Sequence, residues 1–298
     1  VQKHSESPLA AEAGFHVGEH HYGEKRYEES IKAFNQAIAT TDDSTLLEKL
    51  FYKSGWSHFH LEQYDDALEQ FNRQLENNAK GALAGDAWYM KGECLFQKKD
   101  YEQALLAYTE SSLGEASSPE VAVLLRLHAG QSAGQLGQWD RCLSFMDSII
   151  EQHPTTPYLA EAYFERGQAK LKLKQSDEAI EDFRQAAERS RGIVGARSYF
   201  MIGEILFQQK KFDDAIKDFQ RVMFRTGDES GEIRNWQAKA GYEAGRCCEV
   251  QIKDATSPAD RARRIADAKK FYRYVVDEHP KNELAEQAKS RLEALAKL

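Results

Sequence analysis

Along most of the chain, apolar residues recur three and four apart, the spacing that gathers side chains onto one face of an α-helix. The spacing is itself repeated. A glycine followed twelve residues later by a small residue occurs six times: Gly18 with Ser30, Gly55 with Ala67, Gly92 with Ala104, Gly130 with Cys142, Gly167 with Ala179 and Gly203 with Ala215. Successive glycines are 37, 37, 38, 37 and 36 residues apart. Four residues after each small position stands a large apolar one: Phe34, Phe71, Tyr108, Met146, Phe183 and Phe219. Three residues before it come Tyr27, Tyr64, Tyr101, Trp139, Ser176 and Phe212. Each unit therefore predicts a helix, a short polar turn and a second helix, with the glycine letting the two backbones approach closely. An acid follows the turn in all six units (Glu28, Asp65, Glu102, Asp140, Asp177, Asp213), where it favours the positive end of the second helix.

A seventh unit keeps the order with Gly241, Gly245, Ala268, Tyr272, Val275 and Pro280, but its glycine-to-alanine interval is 23 residues instead of 12. Eleven additional residues are close to three helical turns, so a longer hairpin keeps the same faces together. Asp254 to Pro258 supplies the turn inside it. After Pro280, Asn282 is a candidate helix cap, and Leu284, Ala288, Leu292 and Leu295 form the stripe of a final helix covering the last apolar face.

These positions resemble the tetratricopeptide repeat (TPR), with its large residue, Leu-Gly, aromatic, Ala, Phe and Ala signature. Trp88, Gly92, Tyr101, Ala104 and Tyr108 form one good copy, and Tyr163, Gly167, Ala179, Phe183 and Ala186 another. The period, near 37, is longer than the common 34. The resemblance implies an all-α, right-handed TPR solenoid of about seven helix-turn-helix repeats with a C-terminal capping helix. Residues 1–10 are expected to be a tail and 11–298 a single solenoid. Its repeats fall near 11–44, 48–81, 85–118, 123–156, 160–193, 196–229 and 234–283, with an insertion at about 254–264 and the cap at 283–297. The Pro-containing segment from His153 to Tyr158 and the ending from Glu278 to Leu295 are similar to TPR domains of bacterial envelope proteins, including the periplasmic partner of the Tol-Pal system and the TPR lipoprotein of outer-membrane assembly. That similarity favours the periplasm or cell envelope and leaves the cytoplasm open.

Composition excludes several classes. Mean hydropathy is −0.67, and the longest apolar run is Val121 to Leu125, far short of the ~20 residues a membrane helix needs. Thirty-two aromatics are incompatible with a disordered chain. With 48 acids against 40 bases, a net charge of −8, general nucleic-acid binding is not expected. The four cysteines (Cys94, Cys142, Cys247, Cys248) have no C-x-x-C or metal-finger spacing and are expected to be small buried residues. A chain that begins at Val1 without methionine is expected to be a fragment or processed form whose targeting segment, if any, lies outside it.

No enzymatic role, cofactor or metal is expected. Gly130-Gln131-Ser132-Ala133-Gly134 matches G-x-S-x-G, but Gly130 lies on the repeat register, which places Ser132 within a continuous helix that cannot form a nucleophile elbow. His16 and His20, four apart, could share a metal only with ligands from elsewhere, such as His58 or His60. The basic cluster of Arg261, Arg263, Arg264, Lys269, Lys270 and Arg273 is diluted by Asp254, Asp260, Asp267 and Asp277, and reads as a solvated face.

The family resemblance assigns function to the first helices, whose residues three before, one after and four after the glycine line a concave side. The implied peptide-binding residues are Phe15, Tyr22, Tyr52, Trp56, Phe59, Tyr89, Phe96, Leu127, Phe164, Leu171, Phe200, Phe207 and Tyr242. Between the aromatic rows runs a polar one, Glu19, Trp56, Glu93, Gln131, Gln168, Glu204 and Arg246. Chaperone-tail members of the family clamp a carboxylate with Lys, Asn and Arg at such positions, whereas aromatics and glutamates occupy most of them here. The expected role is a non-catalytic protein-protein interaction scaffold holding a partner segment by apolar and aromatic anchors. The rival is a structural protein of the bacterial envelope that self-assembles into oligomers or filaments.

Overall fold

The computed structural model describes residues 8–112, 118–225 and 231–298, and no strand occurs among them. The chain divides into two compact units, Val1–Ile149 and Ile150–Leu298. The N-terminal unit contains α1 (Pro8–Gly23), α2 (Tyr27–Ile38), α3 (Ser44–His60), α4 (Tyr64–Asn77), α5 (Ala84–Gln97), α6 (Tyr101–Ser112), α7 (Pro119–Gln135) and most of α8 (Trp139–Gln152). The C-terminal unit contains α9 (Leu159–Lys172), α10 (Ser176–Arg189), α11 (Ile193–Gln208), α12 (Phe212–Met223), α13 (Gly231–Gln251), α14 (Pro258–Glu278) and α15 (Leu284–Ala296). Within each unit, consecutive helices pair into antiparallel hairpins. The second helix of a hairpin also packs on the first helix of the next, as in α2 with α3 and α10 with α11.

One lock recurs in the hairpins. The residue sixteen after each register glycine is fully buried, and its side chain lies directly over that glycine: Phe34 over Gly18, Phe71 over Gly55, Tyr108 over Gly92, Phe183 over Gly167 and Phe219 over Gly203, with the Met146 methyl over Gly130. A Cβ on Gly55 would lie 2.7 Å from Phe71 Cζ, well inside contact distance. In the last hairpin, Tyr272 covers Gly245 in the same way at a spacing of 27 residues. The eleven added residues are taken up by both α13 and α14, each 21 residues long. Ser257 caps α14 by accepting from Asp260 N at 3.1 Å, with Pro258 at its first position. At α15, Asn282 Oδ1 accepts from Leu284 N at 3.0 Å, and Ala285, Ala288 and Leu295 are buried.

The turns inside the hairpins share a conformation that the residue types do not announce. Lys25, Glu62, Lys99, Gly137, Lys174 and Lys210 have φ between 59° and 72°. The following amides close six-to-one bonds onto the preceding helix, Gln63 N to His58 O at 3.0 Å and Lys211 N to Leu206 O at 2.8 Å among them. This is the Schellman ending, usually built on glycine, and only Gly137 supplies one. The acids of the next helix's first turn, including Asp65, Asp177 and Asp213, sit where the sequence places them.

All four cysteines are buried, and no disulfide joins them. Burial pushes the Cys94 and Cys248 thiols up to about 12. Ser132 lies fully buried within α7, its hydroxyl donating to the His128 carbonyl at 2.8 Å, which is helix geometry and no elbow. No helix among the described residues is long and apolar enough to cross a membrane.

Candidate functional site

Within each unit the first helices lie side by side, α1 with α3, α5 with α7, α9 with α11 and α11 with α13. The aromatic residues on them divide into two rows with different jobs. Rings three before the glycine lean on the buried ring of their own hairpin: Phe15 on Phe34, Tyr52 on Phe71, Tyr89 on Tyr108, Phe164 on Phe183, Phe200 on Phe219 and Tyr242 on Tyr272, at 5.4–6.3 Å. Rings four after the glycine meet the first ring of the second helix edge-on: Tyr22 with Tyr27, Phe59 with Tyr64, Phe96 with Tyr101 and Phe207 with Phe212, at 5.3–5.6 Å.

Burial sorts the sequence-derived residues. Tyr89, Leu127 and Phe164 are 8%, 4% and 3% exposed and belong to the interior. Phe15, Tyr22, Tyr52, Trp56, Phe59, Phe96, Leu171, Phe200, Phe207 and Tyr242 are half-buried, each keeping part of its surface in solvent. In the N-terminal unit the open rings run together: Trp56 contacts Tyr52, Phe59 and His60, and Tyr27 stacks on His60 at 4.7 Å. Tyr22 Oη and His60 Nε2 are hydrogen-bonded at 2.9 Å. Burial, aided by Tyr27 and Tyr52, pushes the Tyr22 hydroxyl up to about 12. Burial, then Lys25, lowers the His60 pKa below its ordinary value.

The polar row carries the sharpest contrasts. Glu19 pairs with Lys53 at 3.2 Å, and Lys53 also covers the Tyr22 ring at 5.4 Å. Glu93 is buried and accepts from both the Tyr108 hydroxyl and His128 Nδ1 at 2.6 Å, while Phe96 stacks on His128 at 5.5 Å. In the last hairpin Glu249 accepts from Tyr272 at 2.8 Å and pairs with Arg291 at 3.2 Å. Glu204 differs. It is half-buried and makes no hydrogen bond or ion pair with any described residue. Burial, then the carboxylate of Glu243, holds its pKa above the usual range. Arg246 lies 5.1 Å over the Phe207 ring but donates to Glu243 at 2.6 Å.

The repeat register explains the difference. Glu19, Glu93 and Glu204 each follow their glycine by one residue, and the position two before the next hairpin's glycine faces them. That position supplies Lys53 to Glu19 and His128 to Glu93. In the seventh hairpin, aligned on Gly245, it supplies Glu243 to Glu204. Glu93 also gains the hydroxyl of Tyr108, whereas the ring under Glu204's hairpin is Phe219. Sequence reasoning placed Glu204 in the polar row and named His60 only as a possible metal ligand, and it missed His128, Trp236, which packs edge-on against Phe200 at 5.2 Å, and Glu243. Reading the charge two before each glycine would have found the last of these.

His58 Nδ1 donates to Gln63 at 2.7 Å and His60 bonds Tyr22. Among the described residues no three His, Cys, Asp or Glu side chains are grouped to hold a metal ion.

Stacked helical hairpins, each closed over a glycine, with side-chain-rich first helices and no assembled reactive groups among the described residues, define a helical-repeat protein. Tetratricopeptide repeat models match residues 52–119, 164–227 and 125–156, together more than half of the chain, and the chain belongs to that family. Among solved structures, it resembles the C-terminal part of a TPR repeat-containing protein from Cytophaga hutchinsonii. The TM-score is 0.63 at 16% identity, over 92% of this chain and 98% of that one. YrrB, described as a TPR protein with an unusual peptide-binding site, gives 0.54 at 19% identity, covering 70% and 96%. MamA 41-end from Desulfovibrio magneticus RS-1 gives 0.53 at 16% identity, covering 61% and 96%. At these identities the likeness is one of fold. No curated protein sequence matches the chain.

Proposed function

We propose that the chain is a non-catalytic protein-interaction scaffold whose first helices hold an extended or helical segment of a partner protein on their aromatic rows. One observation carries this reading. The rings that lock the hairpins are fully buried, yet a second set stays half-open on the first helices of each unit, Trp56 and Phe59 on α3 and Phe200 and Phe207 on α11. Large, rigid amphipathic rings arranged in this way are the usual anchors of a peptide surface. YrrB, a TPR protein described as having an unusual peptide-binding site, supports the same use of this fold. The similarity of the inter-repeat segments to bacterial envelope TPR domains supports an envelope setting for that partner.

A random dodecapeptide display library, selected on the full chain, tests it. Bound clones should lose binding to Trp56→Ser/Phe59→Ser or to Phe200→Ser/Phe207→Ser variants whose far-UV circular dichroism is unchanged. Clones indifferent to all four rings would refute the reading.

A further inference from the structure

On three of the first helices, α1, α5 and α13, the acid of the wall is satisfied by the chain's own residues. Glu19, Glu93 and Glu249 each hold a base or a hydroxyl. Glu204 alone of these four acids has no hydrogen bond or ion pair to a described residue: it faces the carboxylate of Glu243, and Arg246, whose charge partly offsets that repulsion, donates its hydrogen bond to Glu243 instead. A half-buried carboxylate with no hydrogen-bond partner gives up hydration that the charge of Arg246 offsets only in part. Its surroundings also suit a cation. Phe200 and Phe207, four before and three after it on α11, share its helical face. Ring faces attract cations, as Arg246 on Phe207 already shows. The C-terminal unit is close to neutral overall, 25 acids against 27 bases, so any preference comes from these few groups and not from a long-range field.

We propose that Glu204 selects the partner segment of the C-terminal unit by receiving one of its lysine or arginine side chains, while apolar residues beside that cation rest on Phe200 and Phe207. This rests on the peptide-binding reading above. The partner is thus a segment with a cation flanked by apolar anchors, and acidic segments are rejected by the pair of carboxylates.

The test extends the same selection. Clones are depleted on the Phe200→Ser/Phe207→Ser variant, leaving those that need these rings, and are sequenced. The best one is measured on wild type, Glu204→Gln and Glu243→Lys. Glu204→Gln keeps shape and exposure, so its folding is not at issue. Glu243→Lys recreates the Lys53–Glu19 arrangement and fills the site from within. The expected result is a Lys or Arg at a fixed place between apolar residues. Affinity should fall about tenfold on Glu204→Gln, the size of one charge-assisted contact, and fall also on Glu243→Lys. A peptide with norleucine in place of that cation should bind wild type and Glu204→Gln equally.

Ring-dependent clones with no cation, or with unchanged affinity on Glu204→Gln, would overturn this inference and leave the scaffold reading intact. Clones that need only Trp56 and Phe59 would overturn this inference alone, and clones indifferent to all four rings would overturn both. A dimer that Phe200→Ser/Phe207→Ser dissociates would place a second copy on the wall and overturn the assignment to a partner segment.

Discussion

Gly55→Ala adds a single methyl group and should destabilise the N-terminal unit. Its Cβ would lie 2.7 Å from Phe71 Cζ, 2.8 Å from Cε1 and 3.1 Å from Cδ1, where ordinary carbon contacts begin near 3.5 Å. Phe71 is fully buried, with Tyr52 against it at 6.3 Å, so the ring cannot retreat by several tenths of an ångström without moving α4. Overpacking of this kind costs about 1–3 kcal/mol, and replacing glycine inside a helix returns about 1 kcal/mol. The net loss is up to ~2 kcal/mol, where an uncovered helical glycine would gain. Gly134, in α7 of the same unit, is the control: its nearest neighbours would be Trp139 and Cys142 at 3.6 and 3.8 Å. Gly134→Ala should therefore gain about 0.5–1 kcal/mol. Urea unfolding followed by far-UV circular dichroism reads both. Phe71→Leu should cost less in the Gly55→Ala background than alone, with a coupling of at least ~0.5 kcal/mol. Equal stability of Gly55→Ala and Gly134→Ala, or strict additivity with Phe71→Leu, would refute the glycine-under-ring account.

The turn conformations make a second prediction: Gly137→Ala costs about 1 kcal/mol, whereas Lys99→Gly gains up to ~0.5 kcal/mol, because φ is positive at both and only one is glycine, as urea midpoints would show. Tyr108→Phe, which takes a donor from buried Glu93, costs about 1–2 kcal/mol; Tyr272→Phe costs less, because Glu249 keeps Arg291. The lowered pKa of His60 means that the unfolded chain binds its proton first, so this residue subtracts stability as pH falls from about 7 through 6.5 and below. His60→Gln should flatten that part of the pH dependence of the urea midpoint, and an unchanged slope would remove His60 from the account.

The fold was legible because the lock demands a fixed interval. A glycine and the side chain that covers it, a ring in five hairpins and Met146 in the sixth, stay sixteen residues apart, and 27 apart where three extra helical turns are inserted, so spacing alone reports the packing. The turns were not legible to the same degree. Lys, Glu and Gly all adopt the positive φ that the Schellman ending requires, so residue type leaves no mark at five of the six positions. The aromatic rows were located by register, but their exposure was not. Whether a ring three before the glycine stays half-open, like Tyr52, or sinks to the interior, like Tyr89 and Phe164, depends on what the adjacent hairpin lays over it. Arg197, for example, covers Phe164 at 4.3 Å. That information lies in pairs of positions some 35 residues apart, not within one repeat.

The same pairing logic separates structural acids from the one available for recognition. Where Tyr replaces Phe at the buried ring position, at Tyr108 and Tyr272, a buried hydroxyl needs an acceptor, and a glutamate of the first helix supplies it. Glu93 and Glu249 are thereby committed to the fold. Glu204 lies at Glu93's register position, but over Phe219 and opposite Glu243, so no hydroxyl bonds it, and Arg246, the cation that acts on it, donates to Glu243. Its raised pKa follows from that arrangement and marks an interaction the hairpin stack does not satisfy internally. Removing the charge should therefore make the C-terminal unit more stable at neutral pH, where removing the charge of Glu93 makes the N-terminal unit less so. A site that costs stability when empty and is relieved by an added cation is what a binding surface requires, and a merely solvated face does not show it.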